Sequence, residues 1–202
     1  MDGNFYALLD RMKHIDRWGL MRNTRRENLS EHCLQTAFIA QALVVIHNRR
    51  FGGSLNPEHA AVLAMFHDAS EILTGDMPTP VKYFSPEIRE AYRTAEDAAC
   101  QRLIDCLPED MREDLAPYLL GGEADYRPFV KAADKLSALA KCLEEEQTGN
   151  TEFRDARAAT EAAVRAMKLP EAEVFLTTFM SSYGETLDRL TGRVKKTDKS
   201  ES

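Results

Sequence analysis

Apolar residues recur along the chain at helical spacing, and no segment alternates between apolar and polar positions as a half-buried strand would. The first amphipathic segment, residues 4–13, presents a stripe at positions i, i+3, i+4 and i+7, formed by Phe5, Leu8, Leu9 and Met12. The basic segment 17–27 lacks this spacing and predicts an irregular connection. The pattern therefore predicts an all-α fold, a compact multi-helix bundle.

A capping-box sequence marks the start of the next helix. Asn28 is a good N-cap residue, and Glu31 follows three positions later, as the capping box requires. The helix should contain His32, run towards Arg49 and end at Gly52 and Gly53, because glycine readily adopts the conformation that ends a helix.

Asn56 and Pro57 predict a second helix, since an N-cap residue is followed by a proline at the first helical position. This helix should carry His67 and Glu71 and end at Gly75. The segment 76–80 contains two prolines, which remove backbone donors and fix φ, so we expect a loop there.

Later helices are predicted at five places: 85–107, 108–121, 126–147, 151–167 and 170–190. Proline, serine or threonine opens most of them and glycine follows several, as expected for helix boundaries. We predict that residues 1–190 form one domain and that residues 191–202 form a polar, disordered tail.

The composition is typical of a cytoplasmic globular protein. Of 202 residues, 44% are apolar and 29% are charged, and the net charge of −7 argues against nucleic-acid binding. No apolar run approaches the ~20 residues that span a bilayer, and no signal peptide opens the chain, so we expect no membrane association. The cysteines are scattered as in proteins with reduced thiols: Cys33, Cys100, Cys106 and Cys142.

The segment 66–71 places titratable groups inside an otherwise apolar helix. His67 and Glu71 are one turn apart and should share a face. Asp68 is rotated from His67 by about 100°, so the two side chains can still converge on one ion. Burying these groups without a counter-charge would be costly, and a divalent cation would remove that cost. A local hydrogen-bonded pair of His67 and Asp68 is the alternative interpretation.

His32 and Asp134 lie on other predicted helices, and antiparallel packing could bring both to this segment. Two imidazoles and two carboxylates suit Mn²⁺, Co²⁺, Fe²⁺ or Zn²⁺. Four protein ligands on an octahedral ion would leave positions for water and a substrate oxygen, as in catalytic sites. Asp134 also has lysines on both sides, a pattern typical of a solvated acid, so the residues alone leave both interpretations open.

The order of His32, His67-Asp68 and Asp134 resembles the H…HD…D motif of the HD-domain phosphohydrolases. Longer segments resemble the bacterial 5'-deoxynucleotidases of that superfamily: residues 16–18, 22–23, 27–32, 66–71, 74–84 and 141–145. Segment 74–84 is the most specific of these. The resemblance covers residues 1–150 well and the C-terminal helices more loosely, and Cys33 departs from the small hydroxyl residue expected there.

The resemblance implies an HD-domain fold that hydrolyses deoxyribonucleoside 5'-monophosphates to deoxyribonucleoside and phosphate. It implies one divalent metal ion, Co²⁺ or Mn²⁺ before Zn²⁺, Fe²⁺, Cu²⁺ or Mg²⁺, held by His32, His67, Asp68 and Asp134. Attack by a metal-bound water would break the ester bond. Glu71 and Asp76 would share the acid and base roles, in a division that the sequence does not set.

The resemblance also implies a substrate pocket. Arg17 would bind the phosphate through the planar set of N–H donors of its guanidinium and assist catalysis. Trp18 would line the sugar-binding side of the pocket and help exclude a 2'-hydroxyl. Seven further residues would contact the substrate: His32, Asp68, Asp76, Met77, Pro78, Thr79 and Asp134. Four basic residues are expected to add a local positive field: Arg22, Arg25, Arg26 and Lys82.

The other histidines, His14, His47 and His59, are interpreted as structural or exposed, which favours one metal over two. The family resemblance also implies a homodimer. Two alternatives stay open. An HD hydrolase acting on nucleoside triphosphates or signalling nucleotides is disfavoured by segment 74–84, and a non-catalytic helical protein with a structural metal would leave Glu71 and Asp76 unexplained.

Overall fold

The computed structural model describes residues 3–193, which form α-helices and short 3₁₀ segments and contain no β-strand. The α-helices are α1 (Phe5–Leu9), α2 (Leu29–Arg50), α3 (Pro57–Phe66), α4 (Glu71–Thr74), α5 (Thr79–Lys82), α6 (Pro86–Asp105), α7 (Arg112–Leu119), α8 (Arg127–Gln147), α9 (Arg154–Ala166), α10 (Pro170–Thr178) and α11 (Leu187–Leu190). The 3₁₀ segments are Asp10–His14, Glu109–Met111, Thr151–Phe153 and Met180–Gly184. The all-α prediction is confirmed.

Helix α2 begins at the predicted capping box. Asn28 Oδ1 accepts a hydrogen bond from Glu31 N at 3.0 Å, and the Glu31 carboxylate accepts one from Asn28 N at 3.3 Å. Two N–H groups that a helix start leaves unpaired are thereby satisfied. Gly52 follows the helix end with a φ of 73°, a conformation that favours glycine. These local signals fix where His32 lies on the helix.

Helices α3 and α6 also begin at predicted caps. Asn56 Oδ1 accepts from the backbone N–H groups of Glu58 and His59 at 2.8 and 3.1 Å, and a proline occupies the first position of α3. Ser85 Oγ accepts from Ile88 N at 3.3 Å at the start of α6. Short-range hydrogen bonds of this kind explain why sequence alone located both helix starts.

Helices α2, α3 and α8 pack together around the main hydrophobic core. Their fully buried apolar residues include Ala40, Leu43, Val44, Ala60, Ala64, Ala132 and Leu136. Burying one large aliphatic side chain contributes about 1.5–3 kcal/mol, and the alanines allow the helices to approach closely. This packing holds the start of α2, the end of α3 and the first half of α8 side by side.

A second cluster fixes the chain just after α3. Ala69 is 1% exposed and packs with buried residues of α1, α6 and α7, which include Phe5, Leu103 and Leu119. The apolar contacts of Ala69 therefore fix the turn that carries His67 and Asp68.

Several predicted helices are divided in the structure, among them the first and the last. The segment 4–13 forms α1 and then the tighter 3₁₀ segment Asp10–His14, and the segment 170–190 forms α10, the 3₁₀ segment Met180–Gly184 and α11. The second division occurs because Glu185 and Thr186 are extended, with ψ angles of 152° and 156°. A helical hydrophobic pattern does not reveal such a local change of backbone conformation.

Although no apolar run approaches the length that spans a bilayer, helix α2 is long and apolar enough to do so by length and overall composition. Helix α2 contains an 18-residue window with a mean hydropathy of 1.4. However, 56% of that window is buried inside the protein. Its apolar residues pack against α3 and α8, so the hydropathy of α2 is explained by its place in the core.

Residues 194–202 of the predicted tail lie outside the described residues. Residues 191–193 are exposed and follow the end of α11. The division into one domain, residues 1–190, and a tail stays a prediction.

Candidate metal centre and active site

Four residues predicted to bind a metal lie together where α2, α3 and α8 meet. His32 Nε2 is 3.2 Å from Asp134 Oδ1 and 3.6 Å from Asp68 Oδ2. His67 Nε2 is 3.1 Å from Asp68 Oδ2, and the two imidazole rings lie 5.3 Å apart. The four side chains, called the His-Asp cluster below, come from three elements that are distant in sequence.

The segment that carries His67 and Asp68 is not the continuous helix that we predicted. Helix α3 ends at Phe66, residues 67–70 form turns, and α4 begins at Glu71. Backbone bonds here join residues three apart, including Ala69 N to Phe66 O and Glu71 N to Asp68 O, both at 3.0 Å. The predicted helix is therefore interrupted by 3₁₀-type turns between His67 and Glu71.

The outer nitrogens of both histidines are held by the protein. His67 Nδ1 lies 2.7 Å from the Ala64 carbonyl oxygen, so this nitrogen carries the hydrogen and donates it. His32 Nδ1 lies 3.1 Å from Ser137 Oγ. Hydrogen bonds of this kind orient metal-binding imidazoles and direct the other ring nitrogen inward.

The inward-facing atoms fit a cation. His32 Nε2, His67 Nε2 and Glu71 Oε2 are buried without a hydrogen-bond partner among the described residues. One ligand atom from each of His32, His67 and Asp68 lies within 4.8 Å of the others. Two ligands about 2.1 Å from one ion are separated by up to about 4 Å, so little movement would close the site. Imidazole nitrogens that face carboxylate oxygens at 3.1–3.6 Å form a donor set for a divalent cation.

The pKa values of three carboxyl groups near the cluster are shifted in different directions, that of Asp134 downwards and those of Glu71 and Asp76 upwards. Burial would raise the pKa of Asp134, but His32 and His67 hold it below its ordinary value. Burial, together with the carboxylates of Asp68 and Asp76, raises the pKa of Glu71 to about 9. The pKa of Asp76 is also raised, by burial and then by Asp68 against the opposing effect of Arg17. Groups with pKa values pushed apart in this way are typical of acid–base sites.

Arg17 approaches the cluster from the loop before α2. Its Nη1 atom lies 3.5 Å from Asp68 Oδ2, and its Nε donates to Glu27 Oε2 at 3.2 Å. Burial would lower the pKa of Arg17, but Asp68 and Glu27 raise it above its ordinary value, so the guanidinium stays charged. A permanent cation thus lies beside the cluster, where an anionic phosphate could bind.

Trp18 adjoins Arg17 in the same loop and shares its partner. The indole Nε1 donates to Glu27 Oε2 at 2.9 Å, and the ring lies 5.3 Å from that of Phe153. Glu27 is 7% exposed and was not among the predicted site residues. Its place within the family-like segment 27–32 was the available signal, but the sequence does not show which side chains it bonds.

Segment 76–79 is less closely tied to the cluster. Asp76 is electrostatically coupled to Glu71 and Arg17, as the pKa shifts above show. Met77 and Pro78 are partly buried, and Thr79 is exposed at the start of α5. Their hydrogen bonds are local, such as Tyr83 N to Thr79 O at 3.1 Å. Met77, Pro78 and Thr79 follow Asp76 directly in the chain, and their inclusion in the substrate pocket stays a prediction.

The expected positive field around the site is largely neutralised. Each of the four basic residues proposed for it has a carboxylate partner: Arg22 with Glu152 at 2.6 Å, Arg25 with Glu31 at 3.1 Å, Arg26 with Asp16 at 3.2 Å and Lys82 with Glu96 at 2.9 Å. Paired surface charges contribute little net potential. In the described part of the chain, two other basic side chains contact the cluster: Arg17 Nη1 lies 3.5 Å from Asp68 Oδ2, and Lys135 Nζ lies 3.4 Å from Asp134 Oδ2.

The remaining histidines lie elsewhere, as predicted. His47 Nδ1 is 2.8 Å from Glu171 Oε1, His59 Nε2 is 2.8 Å from Glu123 Oε2, and His14 is exposed. Cys33, the departure from the family pattern, is 3% exposed, with its Sγ 3.8 Å from His67 Nδ1. Within residues 3–193, the geometry therefore provides one candidate metal site.

Comparison with protein families identifies relatives of the whole described domain. The model of the family described as 5'-deoxynucleotidase YfbR-like matches residues 4–183. A 5'-deoxynucleotidase of Vibrio atlanticus is 50% identical over 189 residues, which cover 93% of this chain and 97% of the relative. The 5'-deoxynucleotidase YfbR of Escherichia coli is 48% identical over 190 residues, with 93% and 95% coverage.

Solved structures share the fold. An HD-domain phosphohydrolase from Listeria innocua matches with a TM-score of 0.77 at 22% identity, covering 94% of this chain and 96% of that one. The cyanophage S-2L HD phosphohydrolase, bound to dA and one catalytic Zn²⁺ ion, matches with a TM-score of 0.63 at 17% identity, with 90% and 99% coverage. The predicted HD-domain bundle is confirmed.

Proposed function

The chain belongs to the YfbR-like family of 5'-deoxynucleotidases, and we propose that it hydrolyses deoxyribonucleoside 5'-monophosphates to deoxyribonucleoside and phosphate. The observation that carries the proposal is the His-Asp cluster with Arg17 beside it, 3.5 Å from Asp68. A cation site next to a buried guanidinium suits a phosphomonoester. Relatives about half identical over more than nine-tenths of the chain support this substrate class.

His32, His67, Asp68 and Asp134 would hold one divalent cation. When bound, the cation lowers the pKa of water to give a nucleophile and offsets charge on the phosphoryl group. We favour Co²⁺ or Mn²⁺ because mixed imidazole and carboxylate donors suit borderline ions, with Zn²⁺, Fe²⁺, Cu²⁺ and Mg²⁺ as alternatives. The single catalytic Zn²⁺ of the cyanophage protein supports one metal on this fold.

Glu71 and Asp76 would move the protons. Burial and neighbouring carboxylates raise the pKa of both groups, so each can exchange a proton closer to neutral pH than an ordinary carboxyl group. One would accept a proton as the nucleophile forms, and the other would protonate the departing 5'-oxygen. Arg17 would bind the phosphate through its Nη atoms, since its Nε is committed to Glu27.

The sugar would lie on the side of Trp18. The large, half-buried indole would leave no room for a 2'-hydroxyl, which supports selection of deoxyribose by shape. Met77, Pro78 and Thr79 would complete the pocket, and the ligand residues His32, Asp68 and Asp134 would border the phosphate.

We further infer a cytoplasmic homodimer that acts on free nucleotides and binds neither nucleic acid nor membrane. The net charge of −7 and the free thiols of all four cysteines support this setting. Leu34 and Phe38 on the outer face of α2 are 49% and 63% exposed, and they offer an apolar surface for a second copy.

The test is phosphate release from deoxyribonucleoside and ribonucleoside 5'-monophosphates by chelated protein supplied with single metals. We expect release from the deoxy substrates to return with Co²⁺ or Mn²⁺ and to be absent from an Asp68→Ala protein that folds normally. Pyrophosphate or triphosphate release from nucleoside triphosphates would favour the alternative HD activity. Metal binding and metal-dependent thermal stability without turnover on any substrate would indicate a structural metal.

A further inference from the structure

We infer that Glu27 is a positioning residue that orients Arg17 for phosphate binding and Trp18 for sugar selection. The inference rests on the proposed function and extends it to a residue outside the His-Asp cluster. Glu27 acts through two neighbouring side chains rather than on the substrate itself.

One oxygen atom of Glu27 holds both side chains. Its Oε2 accepts from Arg17 Nε at 3.2 Å and from Trp18 Nε1 at 2.9 Å. The bond to Nε fixes the inner edge of the guanidinium and directs Nη1 towards Asp68, 3.5 Å away. The position of the phosphate-binding group and the position of the sugar wall therefore depend on the same carboxylate.

Glu27 itself has little freedom to move. Its residue is 7% exposed, and its carbonyl oxygen accepts from Arg17 N at 2.9 Å. An isolated β-bridge joins the flanking residues Asp16 and Asn28. Asn28 is also the N-cap of α2, the helix that carries His32. The carboxylate is thus fixed relative to the His-Asp cluster, and its hydrogen bonds hold the side chains of Arg17 and Trp18 in place.

Trp18 needs such a restraint because its backbone is strained. Its φ is 61°, in the left-handed region that a bulky residue rarely adopts. Such a conformation persists only where surrounding contacts hold it, and these positions are enriched at functional sites. The bond from the indole to Glu27 and the ring contact with Phe153 provide this support.

Two substitutions of Glu27 separate its two tasks. Glu27→Gln removes the charge that pairs with Arg17 but keeps an oxygen that can accept from the indole. Glu27→Leu has a similar size and removes both interactions. If Glu27 only supported folding, the two variants would differ in stability and share one substrate profile.

The experiment measures kcat and KM of the Co²⁺- or Mn²⁺-loaded enzyme on paired deoxy and ribo monophosphates. Trp18 is the only tryptophan, so intrinsic fluorescence reports its environment directly. For Glu27→Gln we expect KM to rise about tenfold, with the deoxy-to-ribo ratio and emission maximum near wild type. For Glu27→Leu we expect a larger rise in KM, a ratio close to one and a red-shifted emission.

Asp16→Asn is the matched control, because Asp16 is an exposed carboxylate of the same loop whose side chain pairs with the exposed Arg26. It should behave as wild type in all three measurements. A folded Glu27→Leu protein with wild-type ratio and emission would overturn the inference. Wild-type protein without deoxynucleotidase activity would refute the proposed function instead, and the fluorescence comparison would still test the contact between Glu27 and Trp18.

Discussion

His32 Nε2 and Asp134 Oδ1 lie 3.2 Å apart, although about half of the chain separates the two residues in sequence. The imidazole is fully buried and its Nε2 has no hydrogen-bond partner among the described residues. Burial lowers the pKa of His32, so the neutral ring presents a lone pair towards a carboxylate. A cation between them would turn this unfavourable arrangement into two coordination bonds.

Replacing Asp134 by Asn should therefore remove the metal without removing the fold. The amide has the same shape but no charge, so we expect bound metal to fall below one tenth of wild type and kcat/KM to fall by at least about 100-fold. Metal analysis after gel filtration and phosphate release would measure both. Asp10→Asn, which alters an exposed ion pair with Lys13, is the control. Full metal content in Asp134→Asn would exclude Asp134 as a ligand.

The Glu71→Gln protein should retain its bound metal and lose most of its phosphatase activity. Glu71 is 6% exposed beside the cluster, and its amide counterpart cannot exchange a proton. Loss of a general acid or base typically lowers kcat by about 10²–10⁴-fold. Steady-state kinetics together with metal content measure this effect. If the variant loses metal and activity in parallel, Glu71 is a ligand and its acid–base role is wrong.

Chelation should lower the melting temperature, and metal should restore it. A ligand at 100 times its Kd stabilises the folded state by about 2.7 kcal/mol, and each kcal/mol shifts Tm by about 2–4 °C in a protein of this size. We expect a shift of several degrees in differential scanning calorimetry. Asp68→Ala should show no shift on metal addition. An unchanged wild-type Tm across a wide metal range would argue against the site.

Glu145 should control stability in acid. It is fully buried and accepts hydrogen bonds from Thr24 N at 2.9 Å, Asn150 Nδ2 at 2.8 Å and the buried Lys141 ammonium. Burial would raise the pKa of Glu145, but these donors hold it below its ordinary value of 4.5. Such a lowered pKa contributes stability above pH 4.5 that is lost as the pH falls further.

Glu145→Gln tests this contribution. Leaving the Lys141 charge unpaired should lower the free energy of unfolding at pH 7 by about 3–5 kcal/mol. The difference from wild type should shrink as the pH falls below 4.5, measured by urea denaturation at several pH values. Glu144→Gln, a partly exposed neighbour, should have little effect. A difference that stays constant with pH would show that ionisation of Glu145 contributes nothing.

The sequence alone determined the helical class and the main helix starts, because those signals are local. Asn28 and Glu31 form their capping box across three residues, and Asn56 caps α3 in the same way. Interactions of this range depend on neighbouring residues only, so they can be read before any tertiary contact is known. The choice of His32 and His67 as ligands also came from the sequence, but through a family resemblance rather than from the helical pattern.

Only the tertiary structure decided how these residues meet. In the structure, the expected helix is interrupted by turns at residues 67–70, where apolar packing of Ala69 fixes the chain. The tertiary structure paired the expected cationic residues with carboxylates, and it brought Glu27 to both Arg17 and Trp18. The physical reason is that side-chain contacts between distant segments depend on how helices pack, and a hydrophobic pattern specifies which face is buried but not which partner it meets.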